Sequence, residues 1–274
     1  MTMVGVMKLK TRITSAIVMC AIVIPVIIIG GIPFKILGIV LAIASMYEML
    51  RARSKKSEIP LGIRIISYLL IAAFVYLGTT VYIAKYELIY KILTAVFLIY
   101  FVPVVLIDDT EKYSVTDSLY VLGTTVFLGV AYNSMILISN SNINYLIYLV
   151  LITTITDSFA YFTGYLIGQH KLCEKISPNK TIEGAIGGVL IGTIIPTLFY
   201  LYLIDSNINI LLIVVITFVL SIIGQLGDLF FSSVKRHYDI KDFSNLIPGH
   251  GGILDRLDSL IFVVITFVLF IGVL

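Results

Sequence analysis

The chain is a succession of apolar runs, each close to the length a bilayer demands, separated by short polar breaks. A membrane-crossing helix needs about 20 predominantly apolar residues. Runs of that kind cover 13–30, 36–50, 65–84, 89–107, 119–138, 145–168, 184–203, 210–231 and 260–274. They are unbroken, whereas barrel strands show alternating polarity over roughly ten residues. The expected fold is an all-α, polytopic membrane bundle with about nine transmembrane helices. A hydrophobic content of 59% and a mean hydropathy of +1.07 exclude an ordinary soluble domain. No soluble domain, repeat or low-complexity tract interrupts the pattern. The chain reads as a single membrane domain, with scaffold helices over 1–140 and a catalytic half over 141–274.

Charge sets the topology. The net charge of +3 is too small to point to a nucleic-acid partner, so the basic residues read as loop anchors. Basic segments occur at Lys8 to Arg12, at Arg51 to Lys56, between Lys171 and Lys180, and after residue 231. With a cytoplasmic N-terminus all four fall on the cytoplasmic side. The acidic segment 108–117 fits that side poorly, although acids count little in the rule. The first apolar run lacks a small-residue cleavage site and is followed at once by a second run, so it reads as a retained helix. Cys20 and Cys173 have no partner at a recognised metal or disulfide spacing.

The densest charge lies between the last two runs, in SSVKRHYDIKDFSNLIPGHGGILDRLD over 232–258. Charge beside a bilayer is costly and marks a functional site by default. Lys235, Arg236, Lys241 and Arg256 offer cations for phosphate, and arginine can grip phosphate oxygens in a fork. Asp242, Asp255 and Asp258 are hard oxygen ligands suited to Mg²⁺, which takes one or two carboxylates plus substrate phosphates. Asp255 and Asp258 share one face if the segment is helical. The Pro248-Gly249-His250-Gly251-Gly252 turn brings backbone N–H groups close to a ligand, and His250 can donate to a phosphate or orient a metal ligand. A solvated positive-inside loop would ask only for Lys and Arg. The combination points to phosphoryl or nucleotidyl transfer.

The string S-x-V-K-R-x4-K-D-x-S-x2-I-P-x-H-G-G-I-x-D-R-L-D on 232–258 resembles the signature of the phosphatidate cytidylyltransferases (CDP-diacylglycerol synthases), without departure. The resemblance implies an integral membrane enzyme of phospholipid biosynthesis. Such an enzyme joins CTP to phosphatidic acid with Mg²⁺, giving CDP-diacylglycerol and pyrophosphate. Two further stretches extend it. Ser177-Pro178-Asn179-Lys180-Thr181-Ile182-Glu183-Gly184 resembles the family's S-P-x-K-T-x-E-G motif, which implies that Ser177, Lys180 and Thr181 contribute to the CTP site. Read from the residues alone, Lys180 beside a helix capped by Thr181 or Glu183 is an anion site or a plain capped loop. Gly224-Gln225-Leu226-Gly227-Asp228 resembles the family's G-x2-G-D, and Asp228 ends a span where it is expected to share Mg²⁺ with Asp255. A weaker likeness, Asp157-x3-Tyr161-x2-Gly164, places Asp157 on the wall of a polar cavity.

The catalytic expectation therefore names Asp228, Lys241, Asp255, Arg256 and Asp258, with Asp228, Asp255, Asp242 and Asp258 toward the metal. Ser177, Lys180, Thr181, Lys235, Arg236, Lys241, His250 and Arg256 are expected toward the phosphates of CTP and phosphatidate. The site is expected to face the cytoplasm from the cell membrane, and a homodimer is left open. Gly164/Gly168 and Gly184/Gly188 read as helix-packing pairs. Two rivals stand beside this reading. A CTP-dependent polyprenol kinase would release CDP; a cation- or proton-coupled transporter would show inverted repeats and mid-span polar pairs, which the chain lacks.

Overall fold

A computed structural model describes residues 3–80, 86–107 and 109–272. Among them are nine helices: α1 (Met3–Ile29), α2 (Gly31–Arg53), α3 (Leu61–Thr80), α4 (Tyr86–Ile107), α5 (Val115–Ser141), α6 (Ile143–Ile167), α7 (Ile182–Leu203), α8 (Ile210–His237) and α9 (Leu254–Val268). Six of them, α1, α2, α5, α6, α7 and α8, are long and apolar enough to cross a membrane; α3 and α4 carry shorter apolar stretches. Among the described residues each apolar run of the sequence carries a helix, the ninth only as far as Val268, and the protein is a polytopic helical membrane protein. The end of the third run, 81–84, lies outside the described residues, as do Asp108 and Lys85.

The structure departs from the sequence expectation in several places, three of which bear on the site. Helix α8 runs six residues past Phe231 and ends on Lys235, Arg236 and His237, cations that suit the negative end of a helix dipole. Helix α9 starts at Leu254, inside the charged stretch, because carboxylates satisfy its first N–H groups, as described below. The polar segment 169–183 is not a plain loop. It folds into a hairpin of β1 (Lys171–Cys173) and β2 (Ser177–Thr181), paired antiparallel with Lys171 opposite Thr181 and Cys173 opposite Ser177.

The chain groups into two compact units. One comprises Met1–Leu137 with Tyr238–Asp255, the other Ile138–His237 with Arg256–Leu274. In the first, Arg53 at the end of α2 reaches Asp117 in the first turn of α5, 2.7 Å from Nη2 to Oδ1. Ser114 and Asp117 also cap α5 reciprocally: Ser114 N–H donates to Asp117 Oδ2 at 3.0 Å and Asp117 N–H to Ser114 Oγ at 3.1 Å. An acid that sat awkwardly with the positive-inside rule is thus a structural cap and ion-pair partner. Deeper in, Tyr132 and Ser45 hydroxyls meet at 2.5 Å, and Tyr100 bonds Thr125 at 2.8 Å.

The second unit is held by close helix approach, since apolar area gives no drive between helices within lipid. The packing glycines of α6 and α7 face one another. A Cβ on Gly184 would stand 2.6 Å from the Ala160 carbonyl and 3.1 Å from Gly164 Cα; one on Gly188 would stand 2.6 Å from the Thr156 carbonyl. Hydroxyls tie both helices to α8: Thr156 to Ser221 at 2.7 Å and Tyr148 to Thr217 at 2.7 Å from α6, and Thr197 to Thr217 at 3.1 Å from α7. Gly188→Val is expected to force α6 and α7 apart at a cost of about 1–3 kcal/mol. Thermal unfolding in detergent, read by size-exclusion recovery, should show a midpoint lower by several degrees. An unchanged midpoint would contradict the close approach.

Candidate active site

The charged side chains collect in two groups, one in each unit. In the second unit, Lys180 at the end of β2 and Asp228 on α8 form an ion pair, Nζ to Oδ2 2.5 Å, with about a quarter of each side chain exposed. Hairpin geometry puts Lys180 there: β2 runs directly into α7, whose N-cap Thr181 accepts the Gly184 N–H at 3.1 Å. Thr181 is buried, so its oxygen serves the helix first. Glu183 turns back from the first turn of α7 to take the N–H groups of Gln169 (3.1 Å) and His170 (3.2 Å), with its other oxygen 2.6 Å from His170 Nδ1. Glu183 therefore closes the hairpin and Thr181 caps the helix. The sequence left that choice open.

Around the Lys180–Asp228 pair stand two more carboxylates. Asp228 Oδ1 accepts from Ser232 Oγ at 3.2 Å, one turn on along α8. Asp157 Oδ2 accepts from Ser259 Oγ at 3.4 Å and lies in electrostatic range of Lys180 and Asp228. Asp258, in the second turn of α9, interacts electrostatically with Asp228, Asp157 and Lys235. Asp157 keeps an accessible surface although it sits mid-helix in a span. Lys235 is buried, an unusual state for a lysine without charged neighbours. Arg236 donates from Nε to the Ile176 carbonyl at 3.3 Å, and Arg256 is exposed. Ser177 is half-buried on β2. Three aspartates and two lysines are thus assembled from α6, β2, α8 and α9.

In the first unit the stretch Tyr238–Asp255 forms a loop organised by two carboxylates. Asp255 Oδ2 accepts the N–H of Phe243 and of Gly252, each at 2.9 Å. Glu48, on α2 and fully buried, accepts the Ser244 hydroxyl at 2.5 Å and the Ile253 and Leu254 N–H groups at 2.8 Å. The last two amides belong to the start of α9, where a helix exposes unpaired donors and a positive dipole end. A Cβ on Gly252 would run into the Glu48 carboxylate, which would have to shift from its partners to make room. Pro248 and Gly249 make a tight turn closed by the His250 N–H to the Ile247 carbonyl at 2.9 Å, with Gly249 at φ +77. Gly251, φ +88, donates its N–H to the same carbonyl.

These contacts correct one expectation. The amides of His250, Gly251 and Gly252 are bonded to Ile247 and Asp255, because a loop beside a buried helix start has to satisfy its own donors. His250 Nδ1 lies 2.8 Å from Ser15 Oγ, and Arg12 Nε donates to the Gly249 carbonyl at 3.0 Å, so α1 supports the turn. Lys241 and Asp242 are exposed, with Asp242 beside Gly251. Glu48 escaped the sequence reading, which took residues before 140 as scaffold. Its signal was a lone acid inside an apolar run, by default a functional pointer.

Carboxylates in electrostatic range of one another, set among lysines, fit a hard divalent cation and phosphate oxygens. Among the described residues no three His, Cys, Asp or Glu side chains converge as a ready-made metal cage. Mg²⁺ does not require one, since it keeps waters and takes substrate phosphates as ligands.

Fold and site together define an integral membrane protein with a cluster of acids and cations set among its apolar helices. The cytidylyltransferase family profile matches residues 10–274. The chain is 35% identical over 255 residues to the phosphatidate cytidylyltransferase of Staphylococcus haemolyticus, covering 93% of this chain and 96% of that one. It is 35% identical over 256 residues to that of Staphylococcus aureus strain COL, and 34% identical to that of Staphylococcus saprophyticus, with the same coverage. The chain belongs to the cytidylyltransferase family and is a nucleotidyltransferase.

Proposed function

We propose that the protein is a phosphatidate cytidylyltransferase, converting CTP and phosphatidic acid to CDP-diacylglycerol and pyrophosphate at the cytoplasmic face of the cell membrane. The observation that carries the reading is the cluster of Lys180, Asp228, Asp157, Asp258 and Lys235, acids and cations held together among apolar helices. Relatives named for this reaction match nearly the whole chain. An apolar groove of about 470 Å³ along α7 and α8, lined by Leu190, Phe218, Ile222 and Leu226, offers a course for an acyl chain on the helix that bears Asp228.

In the reaction a phosphate oxygen of phosphatidate attacks the α-phosphorus of CTP. A new P–O bond forms there, the α–β anhydride bond breaks, and pyrophosphate leaves with the electron pair. The nucleophile is already an anion, so no strong general base is needed, and the protein's task is to position two polyanions and stabilise developing charge. Lys180, Lys235, Arg236 and Arg256 bind phosphate oxygens, and Ser177 adds a hydroxyl contact. Lys241 and His250, on the signature loop, are further phosphate contacts. Asp228 and Asp258 would hold Mg²⁺; bound there, the ion would supply charge neutralisation of the triphosphate. Without ligand, Lys180 and Asp228 neutralise each other; with ligand, Lys180 is freed to bind phosphate.

The test uses purified protein in detergent with CTP, phosphatidic acid and Mg²⁺, following pyrophosphate and CDP-diacylglycerol together. Lipid-dependent release of both in equal amounts is expected. CDP in place of pyrophosphate would make the protein a lipid kinase, and no turnover with any lipid phosphate would reject the reading.

A further inference from the structure

A second polar cavity lies wholly within the first unit, between the end of α2 and the start of α3. Tyr47, Leu50, Arg51 and Ser54 line one side, Arg64 and Tyr68 the other, around about 190 Å³. The spacings are those of single helix faces: i, i+3, i+4, i+7 on α2 and i, i+4 on α3. Two guanidinium groups thus point into one space, with two phenols beside them. The Tyr68 hydroxyl is within electrostatic reach of both Arg64 and Tyr47.

What singles the cavity out is charge without a counter-charge. Arg53, two residues from Arg51, is matched by Asp117. Among the described residues neither Arg51 nor Arg64 has an ion pair or a side-chain hydrogen bond, and Arg64 Nε is buried with no acceptor. A buried donor left unmatched is costly, and a guanidinium cannot shed its charge to escape that cost. The turn joining the helices adds Lys55 and Lys56 against Glu58, so it supplies no net negative charge. A cavity of this size admits a group several waters in volume, at about 30 Å³ per water. Guanidinium forks and phenol donors match the oxygens of a phosphate, and basic pockets between membrane helices on the cytoplasmic side suit phospholipid headgroups.

We propose that this cavity binds a phosphate group, carried by an anionic phospholipid headgroup or free in solution, with Arg51 and Arg64 as its cations and Tyr47 and Tyr68 as hydroxyl donors. The inference does not depend on the reaction proposed above, since none of these residues serves it.

Native mass spectrometry of the full chain in detergent tests it, with phosphatidylglycerol and inorganic phosphate as separate probes and phosphatidylcholine as the uncharged-headgroup control. Arg51→Gln/Arg64→Gln should weaken binding of one phosphatidylglycerol roughly tenfold and leave phosphatidylcholine unchanged. Lipid bound elsewhere is common to both proteins and cancels in the comparison. Loss confined to the lipid arm assigns a headgroup; a parallel loss in the phosphate arm assigns free phosphate as well. Equal binding of both probes by variant and unsubstituted protein would overturn the proposal. Should the double variant not fold, Arg64→Lys keeps the charge and removes the buried Nε donor. Several-fold weaker binding is then expected, and unchanged affinity overturns the proposal.

Discussion

Glu48→Gln is expected to cut lipid-dependent pyrophosphate release on the order of 100-fold while the chain still inserts and purifies as a monodisperse species. Glu48 has no exposed surface, and both of its oxygens are used: one takes the Ser244 hydroxyl and the Ile253 N–H, the other the Leu254 N–H. Glutamine keeps the volume but replaces one acceptor oxygen with an NH₂ group, which must then face a donor. It also removes a negative charge from the start of α9. Each buried donor left without an acceptor costs about 1–3 kcal/mol, and about 1.4 kcal/mol is a factor of ten in rate. The damage falls on the signature loop and the helix carrying Asp255, Arg256 and Asp258. Initial rates, set beside size-exclusion profiles in detergent, separate a deformed site from a lost fold. Turnover within a few-fold of the unsubstituted protein would show that the loop holds its shape without Glu48.

The second large effect is expected at Asp228. Asp228→Asn should lower kcat by roughly 10²–10³, the range seen when one preorganised electrostatic group is removed from an active site. It should also raise the Mg²⁺ concentration needed for half-maximal rate. Lys180→Ala is expected to act on the CTP KM as well as on kcat. Because the two side chains are paired at 2.5 Å, the double variant should lose less than the two single losses combined. Full additivity in that cycle would mean that Lys180 and Asp228 serve the reaction independently. The ion pair's own share of stability is small, since both side chains are partly exposed and screened.

Much of this architecture was legible in the residues. Among the described residues each apolar run carries a helix, because in lipid a backbone has to bond within its own segment. Gly164, Gly184 and Gly188 were readable as close-packing positions, and the structure sets them against neighbouring backbone. The charged stretch announced itself by composition, since a membrane chain carries such a cluster only for a purpose. Boundaries were less legible where capping decided them. Helix α9 starts at Leu254 because Glu48, about 200 residues earlier, takes its first N–H groups, and no local pattern encodes that partner.

The sequence by itself determined the membrane, the number of helices and the kind of chemistry, because hydropathy and residue type are local properties of the chain. Only the tertiary structure decided which acid does what. Glu48 proves to be the brace of the signature loop, Asp117 a cap and partner of Arg53, and Glu183 the clasp of a hairpin. Asp228 stands paired with Lys180 among Asp157 and Asp258. A carboxylate's role is set by the donors and charges around it, and those come from segments far apart in the chain that meet only when the helices pack.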